Sequence, residues 1–153
     1  MTRTTAREIA IVLGFSAAAD EENPEELLNR FFEREHYESL REENALFSEY
    51  PNEKQMQYIR TLVTMLIANR AALDGSIEQY SEGWKVSRIS RTAAAILRCA
   101  MCEILYLPDV PEAAAINEAV ELAKKYEDAE TVSFINGVLG GFVRGLAQKT
   151  EEA

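Results

Sequence analysis

Turn-forming residues are scarce in this sequence: it has seven glycines and four prolines in 153 residues, where a chain of this length ordinarily carries about eighteen. A many-stranded sandwich or barrel needs frequent turns, so the shortage points to helices. Long apolar segments are missing as well. The charge-free run from Ile9 to Ala19 reaches only eleven residues, against the roughly 17–25 that a membrane-spanning helix requires. Two cysteines are too few for a disulfide framework, as expected in a reducing cytoplasm. With one histidine, no G-x-S-x-G and no glycine-rich loop after a strand, the equipment for catalysis is thin. No catalytic residue, cofactor or metal ligand is expected.

What is present is a single domain's worth of core, residues 1–153, with 47% of side chains hydrophobic and 27% charged. The 26 acids outnumber the 16 lysines and arginines, but unevenly. The segment from Asp20 to Glu53 holds twelve acids against Arg30, Arg34 and Arg41, which accounts for nine of the ten net negative charges. The rest of the chain is nearly neutral, so overall acidity is poor evidence against a nucleic-acid partner. Within residues 20–52, Leu27, Leu28, Phe31, Phe32, Tyr37, Leu40, Leu46, Phe47 and Tyr50 argue against disorder. They predict two short amphipathic helices with solvated acidic faces, Pro24 starting the first and Pro51 closing the second. Near the N-terminus, Arg3 and Arg7 precede an apolar run ending in Ala17, Ala18 and Ala19, the outline of a signal peptide. Glu8 inside the junction and the helical spacing of Ala6, Ile9, Ala10, Leu13 and Ala17 favour an ordinary helix instead.

Helical periodicity continues downstream. Ile59, Val63, Leu66, Leu73, Ile77 and Tyr80 step by threes and fours, with Arg70 interrupting the stripe, and predict one long helix. Asn52 with Gln55 supplies its capping box, and Gly75 marks a place for a kink or break. A buried helix follows from about Ser90 to Pro108, through Ile96, Leu97, Ala100, Met101, Ile104 and Leu105. Another starts at Pro111 and runs through Ala115, Ile116, Ala119, Leu122, Ala123 and Tyr126. After an acidic turn at Glu127–Glu130, a last helix carries Gly137, Gly141 and Gly145 along one side. Three interior glycines weaken a lone helix by roughly 2–3 kcal/mol, so close approach of a neighbouring helix is expected there rather than a phosphate-cradling loop.

Cys99 and Cys102 spell C-x-x-C, yet they lie about nine residues into a helix rather than at its N-terminus. Zinc would need two more ligands, and only His36 is on offer. They read as small core residues. Asn117, Glu118 and Glu121 on one helix and Asn136 on the next are the remaining polar candidates, and Asn117 and Asn136, set among apolar neighbours, read as joining helix ends by hydrogen bonds rather than as binding a ligand.

The C-terminal half carries a resemblance. Leu97-Arg98, Glu103-Ile104-Leu105, the run Ala115-Ile116-Asn117-Glu118-Ala119-Val120-Glu121-Leu122-Ala123-Lys124-Lys125-Tyr126, and Phe134-Ile135-Asn136-Gly137-Val138-Leu139 are together similar to the NusB family of transcription antitermination factors. The likeness is dense from about Tyr80 to Leu146 and weaker but collinear from Thr2 to Phe15, whereas residues 20–52 match nothing diagnostic. It implies an all-α fold of two small helical bundles packed together, and a non-enzymatic role in ribosomal RNA transcription. The implied partners are boxA-type single-stranded RNA, the small-subunit ribosomal protein NusE and the transcription elongation complex, all in the cytoplasm and without a membrane. Carried over by position, the RNA surface would comprise Arg3, Arg7, Phe15, Tyr80, Tyr126, Glu130 and Phe134.

Stacking rings plus cations is the chemistry by which single-stranded RNA is held, and Arg3 and Arg7 share a helix face. The chain departs from the family in having only these two arginines, among threonines, where a denser cluster is usual. Fewer phosphate contacts imply weaker binding and a shallower salt dependence. Two other readings stand beside this one. A related helical domain is fused to some ribosomal RNA methyltransferases, so the chain could serve as an accessory module for RNA modification, without a catalytic domain of its own. A homodimeric scaffold that buries the same surface and binds no RNA is the other.

Overall fold

The computed structural model describes residues 1–20 and 23–152, with the side chains of residues 16–20 and 152 left aside. Among the described residues there are eight α-helices and no strand, the all-α fold expected from the sequence. They divide into two compact units, Met1–Ala68 and Asn69–Ala153.

The first unit contains α1 (Arg3–Asp20), α2 (Pro24–Phe31), α3 (Arg34–Ser39) and α4 (Glu53–Ala68). α1 packs along α4, burying Ala6, Ile9, Ala10 and Leu13 together with Ile59, Leu62, Val63 and Leu66. The segment resembling a signal peptide is thus helical through its apolar run; the side chains of Ala17–Ala19 lie outside the described residues. The capping box of α4 forms as expected: Asn52 N–H donates to Gln55 Oε1 and Gln55 N–H donates to Asn52 Oδ1, each at 2.9 Å.

The acidic segment departs from the two helices predicted for it. α2 starts at Pro24, with Asn23 Oδ1 accepting from Glu25 and Glu26 N–H, but the second helix stops at Ser39. Two single 3-10 turns follow, Leu40–Glu42 and Ala45–Phe47. The reason is local competition for the backbone. Ser39 Oγ donates to the His36 carbonyl at 2.6 Å, and extended Asn44 accepts from Leu46 N–H at 2.9 Å. Pro51 therefore closes no helix and lies buried just ahead of α4.

Inside this segment is an aromatic cluster. Tyr37, 1% exposed, stacks on Phe32 at 5.6 Å and meets Phe31, Phe47 and Tyr50 edge-on at 5.9, 5.7 and 5.2 Å. Its hydroxyl donates to the Glu49 carbonyl at 2.8 Å, and the Tyr50 hydroxyl donates to the Phe32 carbonyl at 2.7 Å. Glutamates such as Glu25, Glu33, Glu35 and Glu42 remain in solvent, so rings inside and carboxylates outside make a folded subunit of an acidic sequence.

The second unit contains α5 (Arg70–Tyr80), α6 (Arg91–Tyr106), α7 (Glu112–Tyr126) and α8 (Ala129–Glu152). The predicted single helix through Tyr80 is interrupted, and at Asn69 (φ −113°, ψ 16°) rather than at Gly75. Gly75 sits within a continuous α5, where an added Cβ would meet nothing within 4 Å. The interruption coincides with Arg70, the residue that broke the apolar stripe. Its side chain is used locally, with Nε 3.8 Å from Asp74 Oδ2, while Arg98 Nε on α6 donates to Asp74 Oδ1 at 2.6 Å.

α6 is the centre of this unit and packs on α5, α7 and α8; Ala93–Leu97 and Cys99–Glu103 are all buried. Ser90 is its N-cap, and α7 starts at Glu112, one residue later than expected, with Pro111 at the position just ahead of it. Asp128 caps α8, accepting from Thr131 N–H at 2.8 Å; that hydrogen bond holds its carboxyl below the usual range.

Of the glycine stripe on α8, only part is used, and by a side chain rather than a helix backbone. Tyr80 from α5 lies against it, with Cδ1 3.4 Å from where a Cβ at Gly141 would stand and Cζ 2.7 Å from one at Gly145. A Cβ at Gly137 would meet nothing.

Cys99 and Cys102 are free and buried in the interior of α6. Burial, reinforced by the neighbouring Glu103 charge, pushes the Cys102 thiol up to about 12. The reactive thiolate is therefore scarce at neutral pH. Thiol reagents are expected to label the native protein slowly and the denatured protein fast; rapid native labelling would show that α6 opens.

Candidate nucleic-acid interface

In the first unit the residues of interest lie on α1. Thr2 Oγ1 accepts from Thr5 N–H at 3.1 Å and starts the helix. Arg3, the first residue of the helix, lies exposed with its guanidinium 4.0 Å from the centre of the Tyr58 ring on α4. Arg7 shares that face, as the spacing of four requires, and lies 5.9 Å from the same ring. The face turns inward along α4, however, so Arg7 is only 5% exposed. Arg3 is the arginine the surface presents. Phe15, near the end of the helix, is an exposed ring beside exposed Val12.

In the second unit, Tyr126 at the end of α7 is the most open of the expected rings among those described, 52% exposed, with Lys125 Nζ 5.1 Å from its centre. Tyr80 is committed elsewhere: half-buried in the notch of Gly141 and Gly145, it meets Phe142 edge-on at 6.0 Å. Glu130 and Phe134, one turn apart on α8, line a common cleft of about 280 Å³.

That cleft includes two residues the sequence reading passed over, Trp84 and Arg88. They belong to the connection between α5 and α6. Ser81 Oγ donates to the Trp84 carbonyl at 2.7 Å, and the chain turns through Glu82 (φ 52°) and Gly83 (φ 91°), left-handed backbone that glycine alone adopts without cost. Val86 N–H then donates to Glu78 Oε1 at 3.2 Å, tying a 3-10 turn at Val86–Arg88 back to α5. The effect is to hold the indole of Trp84 out, 54% exposed. Ser90 closes the rim, its hydroxyl accepting from Ala93 N–H at 3.0 Å and donating to Glu127 Oε1 at 2.6 Å. The available signal was the sole tryptophan beside a glycine in a non-helical connection, followed four residues later by an arginine.

Asn117 and Asn136 do not join helix ends as expected. Both side chains are exposed on their helices, while Glu121 pairs with Lys124 at 2.9 Å. Among the described residues no group of three or more His, Cys, Asp and Glu side chains could hold a metal ion, and no helix is long and apolar enough to cross a membrane.

Eight α-helices among the described residues, in two compact units and with no strand, define a small all-helical protein. The chain belongs to the NusB family, whose model matches residues 4–144. It is 40% identical over 144 residues to the transcription antitermination protein NusB of Acetivibrio thermocellus, covering 94% of this chain and 90% of that one. Over 103 residues it is 46% identical to the NusB protein of Alkaliphilus oremlandii, covering 67% and 75% of the two chains. A crystal structure of the antitermination factors NusB and NusE in complex with double-stranded RNA shares the fold, with a TM-score of 0.71 at 24% identity over 94% of this chain and 96% of that one.

Proposed function

We propose that this chain is a transcription antitermination factor that binds boxA-type single-stranded RNA jointly with the ribosomal protein NusE, within the elongating transcription complex of the cytoplasm. Family membership over nearly the whole chain carries the reading. The surface chemistry supports it. In the first unit, Arg3 offers a cation for phosphate and Phe15 an open ring. In the second, Tyr126 offers a ring, and Glu130 with Phe134 an acceptor and an apolar wall. Arg7 and Tyr80 take a positioning role, Arg7 beneath Arg3 against the Tyr58 ring and Tyr80 along α8. The proposed activity is binding rather than catalysis.

The sparse arginines and the acidic segment make binding by the chain alone weak, and a basic ribosomal protein supplies the missing cations. Arg3→Gln is expected to weaken binding to different RNAs about equally and to reduce the salt slope by about one. Tyr126→Ala should cost roughly 1–3 kcal/mol at unchanged slope. Fluorescence anisotropy with labelled boxA-like and scrambled RNAs, in the presence of NusE, checks both. If neither substitution alters binding, the RNA surface lies elsewhere. Equal affinity for the two RNAs would argue against boxA recognition.

A further inference from the structure

We propose that the cleft beside Trp84 is a guanine-selective nucleotide subsite, in which the base stacks on the indole, the Glu130 carboxylate accepts the two N–H groups of its edge, and Arg88 meets the adjoining phosphate. The inference rests on the reading of the chain as an RNA-binding protein and adds a base identity to it.

Size comes first. At about 280 Å³, the cleft is at the small end of the roughly 300–1,000 Å³ of ligand sites, with room for one nucleoside and not for a peptide helix. The second observation is charge held apart. Arg88 and Glu130 line the same small volume and are both exposed, yet no ion pair joins them, and among the described residues neither side chain has a hydrogen-bonding partner of its own. A cation and a carboxylate facing one cleft without neutralising each other leave both for a ligand that carries an anion at one end and donors at the other. A nucleotide is such a ligand.

Third, the backbone is bent to present the ring. Two successive residues with positive φ, one of them a glutamate, hold the largest apolar side chain type in solvent, against both backbone preference and the gain from burying it. Ile89, Ala93 and half-buried Phe134 supply an apolar floor.

The choice of base follows from the acceptor. An ionised carboxylate only accepts. Guanine presents N1–H and the 2-amino group side by side, two donors matched to two oxygens. Cytosine and adenine each set one amino group beside a ring nitrogen whose lone pair would face the carboxylate, and uracil sets one N–H between two carbonyls. Guanine alone offers two donors with no opposing lone pair between them.

Trp84 is the chain's sole tryptophan, so incorporation of 5-fluorotryptophan places one fluorine signal at the site even with unlabelled NusE present. The probes are single-stranded 12-mers: uridine with one central guanosine, the same with inosine, which keeps N1–H and lacks the 2-amino group, and uridine alone. The guanosine 12-mer should shift the fluorine resonance and bind about tenfold tighter than the inosine one, the worth of a hydrogen bond to a charged acceptor. Glu130→Ala should bring that ratio to about one with the shift retained, and Arg88→Gln should weaken both RNAs alike. Equal affinity for guanosine and inosine RNA, or an unmoved fluorine signal while RNA binds, overturns the subsite and leaves the RNA-binding reading standing. No binding of these RNAs or of boxA-like RNA with NusE present overturns both.

Discussion

Tyr37→Ala is expected to cost about 3–5 kcal/mol, the range for truncating a large ring in a packed interior. Tyr37 is 1% exposed, touches four aromatic rings and donates to the Glu49 carbonyl. Its removal leaves a cavity and an unsatisfied acceptor at the centre of the aromatic cluster. Tyr37→Phe keeps the ring and loses the hydrogen bond, at about 1 kcal/mol.

The same residue makes stability sensitive to alkali. Burial first, then the neighbouring Tyr50 and Glu49, raises its phenol from 10.0 to about 12. A group raised in the folded state gives its full contribution below the unfolded value and loses it as pH climbs to the folded value. Stability should therefore decline between pH 10 and about 12, and Tyr37→Phe should flatten that decline. Urea unfolding followed by far-ultraviolet circular dichroism at a series of pH values measures all three effects. A Tyr37→Ala loss below about 1 kcal/mol, outside the range for such truncations, would mean the aromatic cluster does not hold the segment.

Alanine at two glycines of one helix should act in opposite directions. Gly137 has open space where a Cβ would go, so Gly137→Ala gains up to about 1 kcal/mol from helix propensity. At Gly145 the new Cβ would stand 2.7 Å from Tyr80 Cζ and closer still to its hydroxyl. Tyr80 has limited freedom to withdraw, because its ring also lies against Gly141 and Phe142. The overpacking outweighs the propensity gain, and a net loss of about 1–3 kcal/mol is expected. Because the two residues share one contact, the penalty should shrink in a Tyr80→Phe background, which removes the closest atom. Equal stabilisation at both positions would show that Tyr80 moves aside freely.

These two sites mark the difference between what the sequence shows and what it conceals. Apolar spacing and caps are local, so α1, α4, α6, α7 and α8 were legible, down to the Asn52–Gln55 box. The glycine stripe was legible as a place of close approach, but its occupant comes from α5, and no local pattern names a tertiary partner. The break at Asn69 was concealed because the apolar positions keep their phase on either side of Arg70, so that Arg70 read as a gap in the stripe rather than in the helix. In the acidic segment, side chains competing for backbone hydrogen bonds ended α3 where periodicity predicted continuation.

Of the residues expected to face RNA, Arg3, Phe15 and Tyr126 are exposed. Arg7 shows the limit of that inference. A spacing of four places it on Arg3's face, yet only the packing of that face on α4 determines that it is covered. Trp84 and Arg88 went unnoticed because they sit in a connection with no periodicity, whose left-handed turn at Glu82 is visible only in the backbone.

Joint binding of RNA with NusE is the central claim, and a closed thermodynamic cycle tests it most directly. Isothermal titration of boxA-like RNA into the chain alone and into the preformed complex with NusE gives one factor. Titration of NusE into the chain alone and into its RNA complex gives the other. Linkage requires the two factors to be equal. The account predicts weak RNA binding by the isolated chain and the same substantial enhancement around both halves of the cycle. Tight, sequence-selective binding by the chain alone with no gain from NusE would contradict it.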